Sequence, residues 1–211
     1  MTSTDDRIID AAIRLFVTKG SQQVTISELA QEANVARGTL YRNVASMDDL
    51  FDRVVTELST DLHRKVSTTF ADIDDPAERL ATGVRLWIRY AHENPLMGRF
   101  AVRFGLSEAA LRTLMTGPPM HDIQAGLMSA RYAEINVDSV ASLVLGATIS
   151  AMWMVLDGHQ TWRTAGSSTA ELILRALGVE AAEAKRISER ELPMLPPDRS
   201  TAREDDSARH D

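Results

Sequence analysis

The chain has 211 residues, of which 44% are hydrophobic and 25% are charged, and this composition excludes a fibrous or wholly disordered protein. It contains no cysteine, which excludes disulfides, thiolate metal sites and cysteine nucleophiles. Its 23 Lys and Arg against 30 Asp and Glu give a formal net charge of −7, so any contact with DNA or anionic lipid must be local.

The N-terminal quarter of the chain predicts three helices. Apolar spacing and turn signals place them at residues 5–19, 26–33 and 37–44. Thr4 is the expected N-cap of the first helix, and Gly20 is expected to end it. Thr25 followed by Glu28 has the spacing of a capping box, which opens the second helix. Asn34 predicts the tight turn that separates the two short helices.

The rest of the chain is also predicted to be helical, because its seven prolines leave long stretches without a helix breaker. Ser46 and Asp49 are expected to cap the next helix. The predicted helices cover residues 46–69, 76–93, 96–104, 107–115, 120–133, 137–156, 168–177 and 180–191. The predicted fold class is therefore all-α. We divide the chain into an N-terminal domain of residues 2–62, a second helical domain of residues 63–195 and a disordered tail of residues 196–211.

The predicted helix at residues 137–156 contains an uncharged stretch that is long enough to be a membrane-span candidate. Asp138 and Asp157 flank that stretch, and no basic anchor stands close to either end, so a packed interface helix is favoured over a membrane span. Small residues recur along it at spacings of three and four, which would let another helix approach closely. This small-residue stripe, which predicts a dimer interface, consists of Ser139, Ser142, Gly146 and Ser150.

Two short helices joined by a brief turn, within a three-helix unit, match the helix-turn-helix plan, in which the second helix enters the major groove of DNA. Residues 33–47 hold two arginines and no acidic residue, although the chain as a whole is acidic. Guanidinium, hydroxyl and amide groups are the ones that bind phosphates and base edges. The predicted DNA-binding residues are Thr25, Arg37, Gly38, Thr39, Tyr41, Arg42 and Asn43. Composition alone leaves open three small helices with two solvated arginines.

Several motifs follow one another between Arg7 and Phe51: Ile-Ile-Asp-Ala-Ala, Phe16, Gly20, Thr25-Ile26, Ala30, Gly38-Thr39-Leu40-Tyr41 and Leu50. With them the segment resembles the DNA-binding region of the tetracycline-repressor (TetR) family of bacterial transcription regulators. The resemblance implies an all-helical homodimer with an effector pocket in its larger C-terminal domain. It also implies a dimer interface made by two late helices, here residues 139–156 and 168–177.

Four positions, Asn34, Ala36, Val44 and Met47, depart from the usual pattern of that family. Asn34 stands in place of Gly and tolerates a left-handed turn. Ala36 removes an N-cap hydroxyl that is worth about 1 kcal/mol ahead of the second short helix. Met47 replaces a lysine that contacts phosphate in the family, which predicts weaker non-specific affinity for DNA.

Methionine and aromatic residues are concentrated in the second domain, where residues 87–162 hold most of them. They either fill the core, since Met is a common gap filler, or line an apolar cavity for a small molecule. The predicted cavity residues are Trp87, Tyr90, Met97, Phe100, Phe104, Met115, Met128 and Trp153. An inward-facing member of the pairs Arg85 and Arg89 or Arg99 and Arg103 would select an anionic ligand.

Motifs for catalysis or cofactor binding are missing from the sequence, including the glycine-rich dinucleotide loop, the P-loop and the nucleophile elbow. The five histidines form no close helical pair, so a metal site would require distant segments. We therefore expect neither an enzyme nor a cofactor nor a bound metal. Charges throughout residues 1–20 leave no signal-peptide core, which predicts a cytoplasmic protein.

The function that these features predict is a ligand-responsive regulator, most simply a repressor, that binds a pseudo-palindromic double-stranded DNA operator as a homodimer. A small apolar or amphipathic effector would release it, and no membrane is involved. One alternative is a DNA-binding protein of the same fold that is controlled by a protein partner or by no partner. Another is a helical small-molecule binding protein that does not bind DNA.

Overall fold

The computed structural model describes residues 3–69 and 72–194, and in this part of the chain all regular structure is helical. The all-α prediction is therefore confirmed. The helices are α1 (Thr4–Lys19), α2 (Ile26–Glu32), α3 (Arg37–Asn43), α4 (Met47–Thr68), α5 (Pro76–Glu93), α6 (Pro95–Phe104), α7 (Glu108–Thr116), α8 (Pro118–Met128), α9 (Val137–Leu156), α10 (Trp162–Ala176) and α11 (Ala181–Glu189). The predicted tail of residues 196–211 lies outside the described residues.

Side-chain caps define the beginnings of the first helices. The N-cap of α1 is Ser3 and not the predicted Thr4, because the Ser3 hydroxyl accepts the backbone N–H of Asp6 and the Asp6 carboxylate accepts the N–H of Ser3, each at 3.0 Å. The predicted capping box of α2, Thr25 with Glu28, is present. Before α4 the Ser46 hydroxyl accepts the Asp49 N–H at 3.0 Å, as predicted.

The chain turns back after α8, which ends at Met128, before the predicted end of that helix. Ala130 has a φ of 53°, and the backbone N–H of Tyr132 donates to the Gly126 carbonyl at 3.1 Å. The buried Tyr132 ring lies so close to Gly126 that a Cβ at that position would be 2.0 Å from it. The reversal therefore requires glycine at 126, and it directs a large aromatic side chain into the core.

Helix α10 begins at Trp162, before the predicted start at residue 168. Thr161 is its N-cap, with the hydroxyl accepting the backbone N–H of Thr164 at 3.2 Å. The intervening residues are rich in Thr, Ser and Gly, which have low helix propensity, so the local sequence under-predicts this first turn. Its packing against α5 and α9 stabilises the turn in the folded protein.

The helices of the N-terminal domain (hereafter the head) enclose the head core, in which Ile8, Ile13, Phe16, Leu29 and Leu40 have at most 1% of their surface exposed. Phe100 of α6 and Ala109 of α7 also belong to this core. A second core is formed mainly by α5, α9 and α10. Helix α4 is continuous across the predicted domain boundary after residue 62, so it extends from the head into the second domain.

Helix α9 is long and apolar enough to cross a membrane by length and composition. In the fold it packs against α5, α6, α8 and α10, and Val140, Val144 and Met152 are buried in the second core. The helix therefore has protein neighbours on one side, and its role as an interface helix stays a prediction.

An ionic cluster joins the start of α5, the reversal after α8 and the start of α11. The Arg131 guanidinium donates to both Asp75 carboxylate oxygens at 2.9 Å and to Glu183 at 2.9 Å. The hydrogen bonds from Arg131 hold the pKa of Asp75 below its ordinary value, and the Ala77 N–H that Asp75 caps acts in the same direction.

We expect Asp75→Asn to lower the free energy of unfolding by about 2 kcal/mol at pH 7, the scale of charge-assisted hydrogen bonds that are partly solvated. Because the folded-state pKa is depressed, this contribution is present above the unfolded pKa of about 3.9 and is lost as the pH falls through the folded value. Urea unfolding at pH 7 and pH 3 should therefore show a gap between wild type and variant that shrinks at pH 3. A gap of equal size at both values would contradict the ion-pair explanation, and the exposed Glu134→Gln serves as the control.

Candidate functional site

Helix α3 presents one buried and one exposed side. Leu40 is fully buried and Val44 nearly so, and these two residues fix the helix on the head core. Tyr41 is 66% exposed, and Arg37 and Arg42 are exposed as well. An exposed tyrosine beside two arginines, with no acidic residue on the helix, makes a local cationic surface on an acidic protein.

The remaining predicted residues of α3 lie on or beside the same surface. The Asn43 side-chain amide donates to the Thr39 carbonyl at 2.7 Å, and the Arg42 guanidinium approaches the Thr39 hydroxyl at 3.4 Å. A Cβ added to Gly38 would meet no atom within 4 Å, so nothing inside the protein requires glycine there. Ala36 provides no side-chain cap, as predicted.

Thr25 is exposed but already engaged, since its hydroxyl donates to the Glu28 carboxylate at 2.9 Å and accepts the Glu28 N–H at 3.3 Å. Lys19 bonds the same carboxylate at 2.6 Å, and this bond, followed by the one from the Thr25 backbone, lowers the pKa of Glu28 to about 2. A phosphate contact by Thr25 stays a prediction. Its observed role is to fix the start of α2.

The turn between α2 and α3 is held from α1, an arrangement that the sequence did not indicate. Asn34 has a φ of 52°, which confirms the predicted left-handed turn. Arg7 donates to the carbonyl of Ala33 at 2.7 and 3.1 Å and also bonds the carbonyl of Asn34. Arg7 therefore ties α1 to the turn between the two short helices. Its only signal in the sequence is a basic residue near a helix start, where acidic ones are favoured.

A cavity of about 180 Å³ lies mainly within the second domain, and the head contributes Val55, Leu58 and Ser59 of α4 to its wall. Helices α4 to α9 all contribute to its wall, which is predominantly apolar. Five of the eight predicted cavity residues line it: Trp87, Tyr90, Met97, Phe100 and Phe104. The structure therefore brings most of the aromatic cluster together around one space.

The other three predicted residues, Met115, Met128 and Trp153, do not line this cavity. Met115 lies on the exposed side of α7, and Met128, the last residue of α8, is 88% exposed because the chain reverses there. Trp153 is 45% exposed, and its ring centroid lies 5.5 Å from that of His159, with the two rings tilted by 45°. Composition groups these residues with the others, but helix phase and helix ends separate them.

The arginine in the cavity wall is Arg79, which was not among the predicted ones. It pairs with Asp122 at 2.8 Å, and Asp122 also lines the cavity. Of the predicted candidates, Arg85 donates to the Arg190 carbonyl at 2.7 Å, and burial lowers its pKa. Arg89 pairs with Glu93 on the same helix, and Arg99 is exposed.

Aromatic rings connect the cavity to the head. The ring of Phe51 on α4 lies 5.7 Å from that of Phe16 on α1 and 5.1 Å from that of Phe104 on α6. Arg103 on α6 donates to the Val17 carbonyl near the end of α1 at 2.6 Å. Helix α6 therefore forms part of the cavity wall and also contacts the head.

The predicted dimer stripe lies on the outer side of α9. Ser139, Ser142 and Ser150 are exposed, and a Cβ added to Gly146 would meet nothing within 4 Å. Leu143 on the same helix is 41% exposed and Leu172 on α10 is 63% exposed. The stripe therefore has no covering neighbour within the described part of this chain.

The described residues include no group of three or more side chains able to hold a metal ion. The fold and the site together define a helix-turn-helix protein whose head is joined to a helical domain with an internal cavity. The model of the tetracyclin repressor-like C-terminal domain matches residues 75–190, and that of the tetR family of bacterial regulatory proteins matches residues 8–54. The chain belongs to the TetR family.

Several known proteins are similar to the chain. An uncharacterised HTH-type transcriptional regulator of Mycobacterium tuberculosis is 35% identical over 92 residues, which cover 44% of this chain and 46% of that protein. The chain thus spans about half the length of the curated relatives it matches. The structure of RolR in complex with resorcinol has a TM-score of 0.70 and 29% identity, covering 92% of this chain and 96% of that one. The structure of FadR from Bacillus subtilis with stearoyl-CoA, at 17% identity, TM-score 0.65 and coverage of 80% and 96%, shares the fold.

Proposed function

We propose that this protein is a ligand-responsive transcriptional repressor that binds a pseudo-palindromic operator as a homodimer and is released by a small effector. The observation that carries the proposal is the position of the cavity. Its wall includes Val55 of α4 and Phe100 of α6, and both residues also belong to the head core. A molecule that fills the cavity therefore contacts the same side chains that hold the head in place.

Release follows from this shared packing. Packed cores have discrete arrangements, so a ligand that binds one head orientation more tightly shifts the population toward it. Phe51 and Phe104 transmit the change between α4 and α6, and Arg103 ties α6 to the end of α1. A change in head orientation alters the distance between two recognition helices in a dimer, and hence the fit to two half-sites.

The homodimer is supported by the outer surface of α9 and α10. Isologous two-fold contact is the commonest way to cover such a surface, and two-fold symmetry provides the paired heads that two half-sites require. An internal apolar cavity favours a small-molecule effector over control by a protein partner alone, and the resorcinol complex of RolR supports a similar use of this fold. A DNA-binding protein of this kind acts in the cytoplasm, where the chromosome is.

Selection of bound sites from a random pool of DNA duplexes tests the proposal. We expect the full chain to enrich a two-fold symmetric sequence with half-sites about one helical turn apart. Retardation of the selected duplex at a fixed salt concentration, repeated with a library of neutral and charged metabolites, should identify a compound that releases the DNA. Failure to enrich any sequence would contradict the DNA-binding role and favour a small-molecule binding protein, and release by no compound would favour the ligand-independent alternative.

A further inference from the structure

The size of the cavity limits what it can hold. An apolar cavity of roughly 150 Å³ in another protein stays dry and binds benzene. The cavity described above, at about 180 Å³, therefore has room for one six-membered ring with one or two small substituents. A long acyl chain is larger than this volume and would have to extend beyond it.

The charges in the wall compensate one another. Among the described residues that line the cavity, Arg79 and Asp122 are the charged ones, and they pair at 2.8 Å. Arg79 also donates to the Ile73 carbonyl at 3.3 Å. A carboxylate ligand would compete with Asp122 for Arg79 and would lose its own hydration, whereas a neutral ligand leaves the pair intact.

Two hydroxyl groups in the wall already donate their hydrogens to backbone carbonyls and can still accept a hydrogen bond. The Thr148 hydroxyl, on buried α9, donates to the Val144 carbonyl at 2.7 Å. The Thr113 hydroxyl, on α7, donates to the Ala109 carbonyl at 2.9 Å. A hydroxyl oxygen has two lone pairs and one hydrogen, so each of these oxygens can accept a hydrogen bond from a ligand. These two oxygens therefore favour a ligand that donates, while Ser59, Tyr90 and Trp87 place further polar groups in the same wall.

We infer that the cavity binds a neutral, single-ring compound of the phenol class, whose hydroxyl group donates to Thr148 or Thr113. This inference rests on the proposed effector site and specifies its ligand. The ring would lie among Trp87, Phe100 and Phe104, whose edges and faces favour aromatic neighbours. Thr148 and Thr113 are then the residues that distinguish a hydroxylated ring from an unsubstituted one.

Calorimetric titration of the full chain, without DNA, tests the inference with four probes: phenol, anisole, toluene and benzoate. Anisole keeps the oxygen of phenol but cannot donate a hydrogen bond. We expect phenol to bind at least about fivefold more tightly than anisole, the scale of one net hydrogen bond, and also more tightly than benzoate. No detectable binding of phenol at millimolar concentration, or tighter binding of benzoate or of a long-chain fatty acid, would overturn the inference.

The variant Thr113→Val/Thr148→Val removes both acceptors with little change in volume. We expect it to bind phenol and anisole with equal affinity while toluene binding is unchanged, which shows that the cavity is intact. The matched control Thr113→Ser/Thr148→Ser should retain the preference for phenol. An unchanged preference in the valine variant would contradict the assignment of the two threonines.

Operator retardation with the same compounds separates this inference from the proposed function. If phenols bind but do not release DNA, the effector role of the cavity is contradicted, while the inference that the cavity binds phenols is supported. Release of DNA by a carboxylate or an acyl compound, without phenol binding, would support the repressor role and overturn the ligand class.

Discussion

Replacement of Arg42 by Ala is expected to lower operator affinity about tenfold or more per half-site, since one guanidinium contact with a base pair or phosphate is worth about 1–3 kcal/mol. Arg42 is exposed on α3, and its described side-chain contact is the 3.4 Å approach to the Thr39 hydroxyl. The substitution should therefore change the free energy of unfolding little. The melting temperature should therefore remain within about 1 °C of that of wild type. Competition binding at several salt concentrations measures the effect.

The salt dependence distinguishes two roles for Arg42. Loss of a phosphate contact reduces the slope of log affinity against log salt by about one per contact, whereas loss of a base contact relaxes the preferred sequence. The matched control is Arg112→Ala, an exposed arginine on α7 that pairs with Glu108 on its own helix. Operator affinity of the Arg42 variant within twofold of wild type would contradict the assignment of α3 as the recognition helix.

The second large effect is expected from Gly146→Leu. A Cβ at this position meets nothing within 4 Å inside the chain, so the isolated subunit accommodates a larger side chain. Leucine also has a higher helix propensity than glycine, by up to about 1 kcal/mol. In a dimer that packs on the small-residue stripe, overpacking costs about 1–3 kcal/mol and occurs twice by symmetry. We therefore expect a folded monomer with at least about 100-fold weaker operator binding, since the paired heads are lost.

Sedimentation velocity and circular dichroism together measure this result, the first reporting the oligomeric state and the second the retained helix content. The matched control is Ala182→Leu, which adds the same side chain to an exposed position of α11. If the Gly146→Leu protein remained dimeric and bound its operator with wild-type affinity, the prediction that this surface of α9 forms the dimer interface would be wrong.

The sequence by itself determined the helical fold, the capped short helices of the head and the cationic surface of α3. These features depend on nearby residues: the Thr25–Glu28 capping box, the left-handed turn at Asn34 and the three- to four-residue apolar spacing act within a few turns of the chain. The same local signals indicated that α9 is an almost uncharged helix with small residues along one side.

The tertiary structure alone decided which of the predicted aromatic and methionine residues line the cavity. Phe100 and Phe104 face it, whereas Met115, Met128 and Trp153 do not, because helix phase and the reversal at Ala130 direct their side chains elsewhere. The same holds for the Arg79–Asp122 pair and for Arg7, whose partners are 43 and 26 residues distant along the chain. Contacts between residues so far apart in the chain depend on how the helices pack. The hydrophobic periodicity of each helix shows which side is buried but does not indicate which distant residue it will contact.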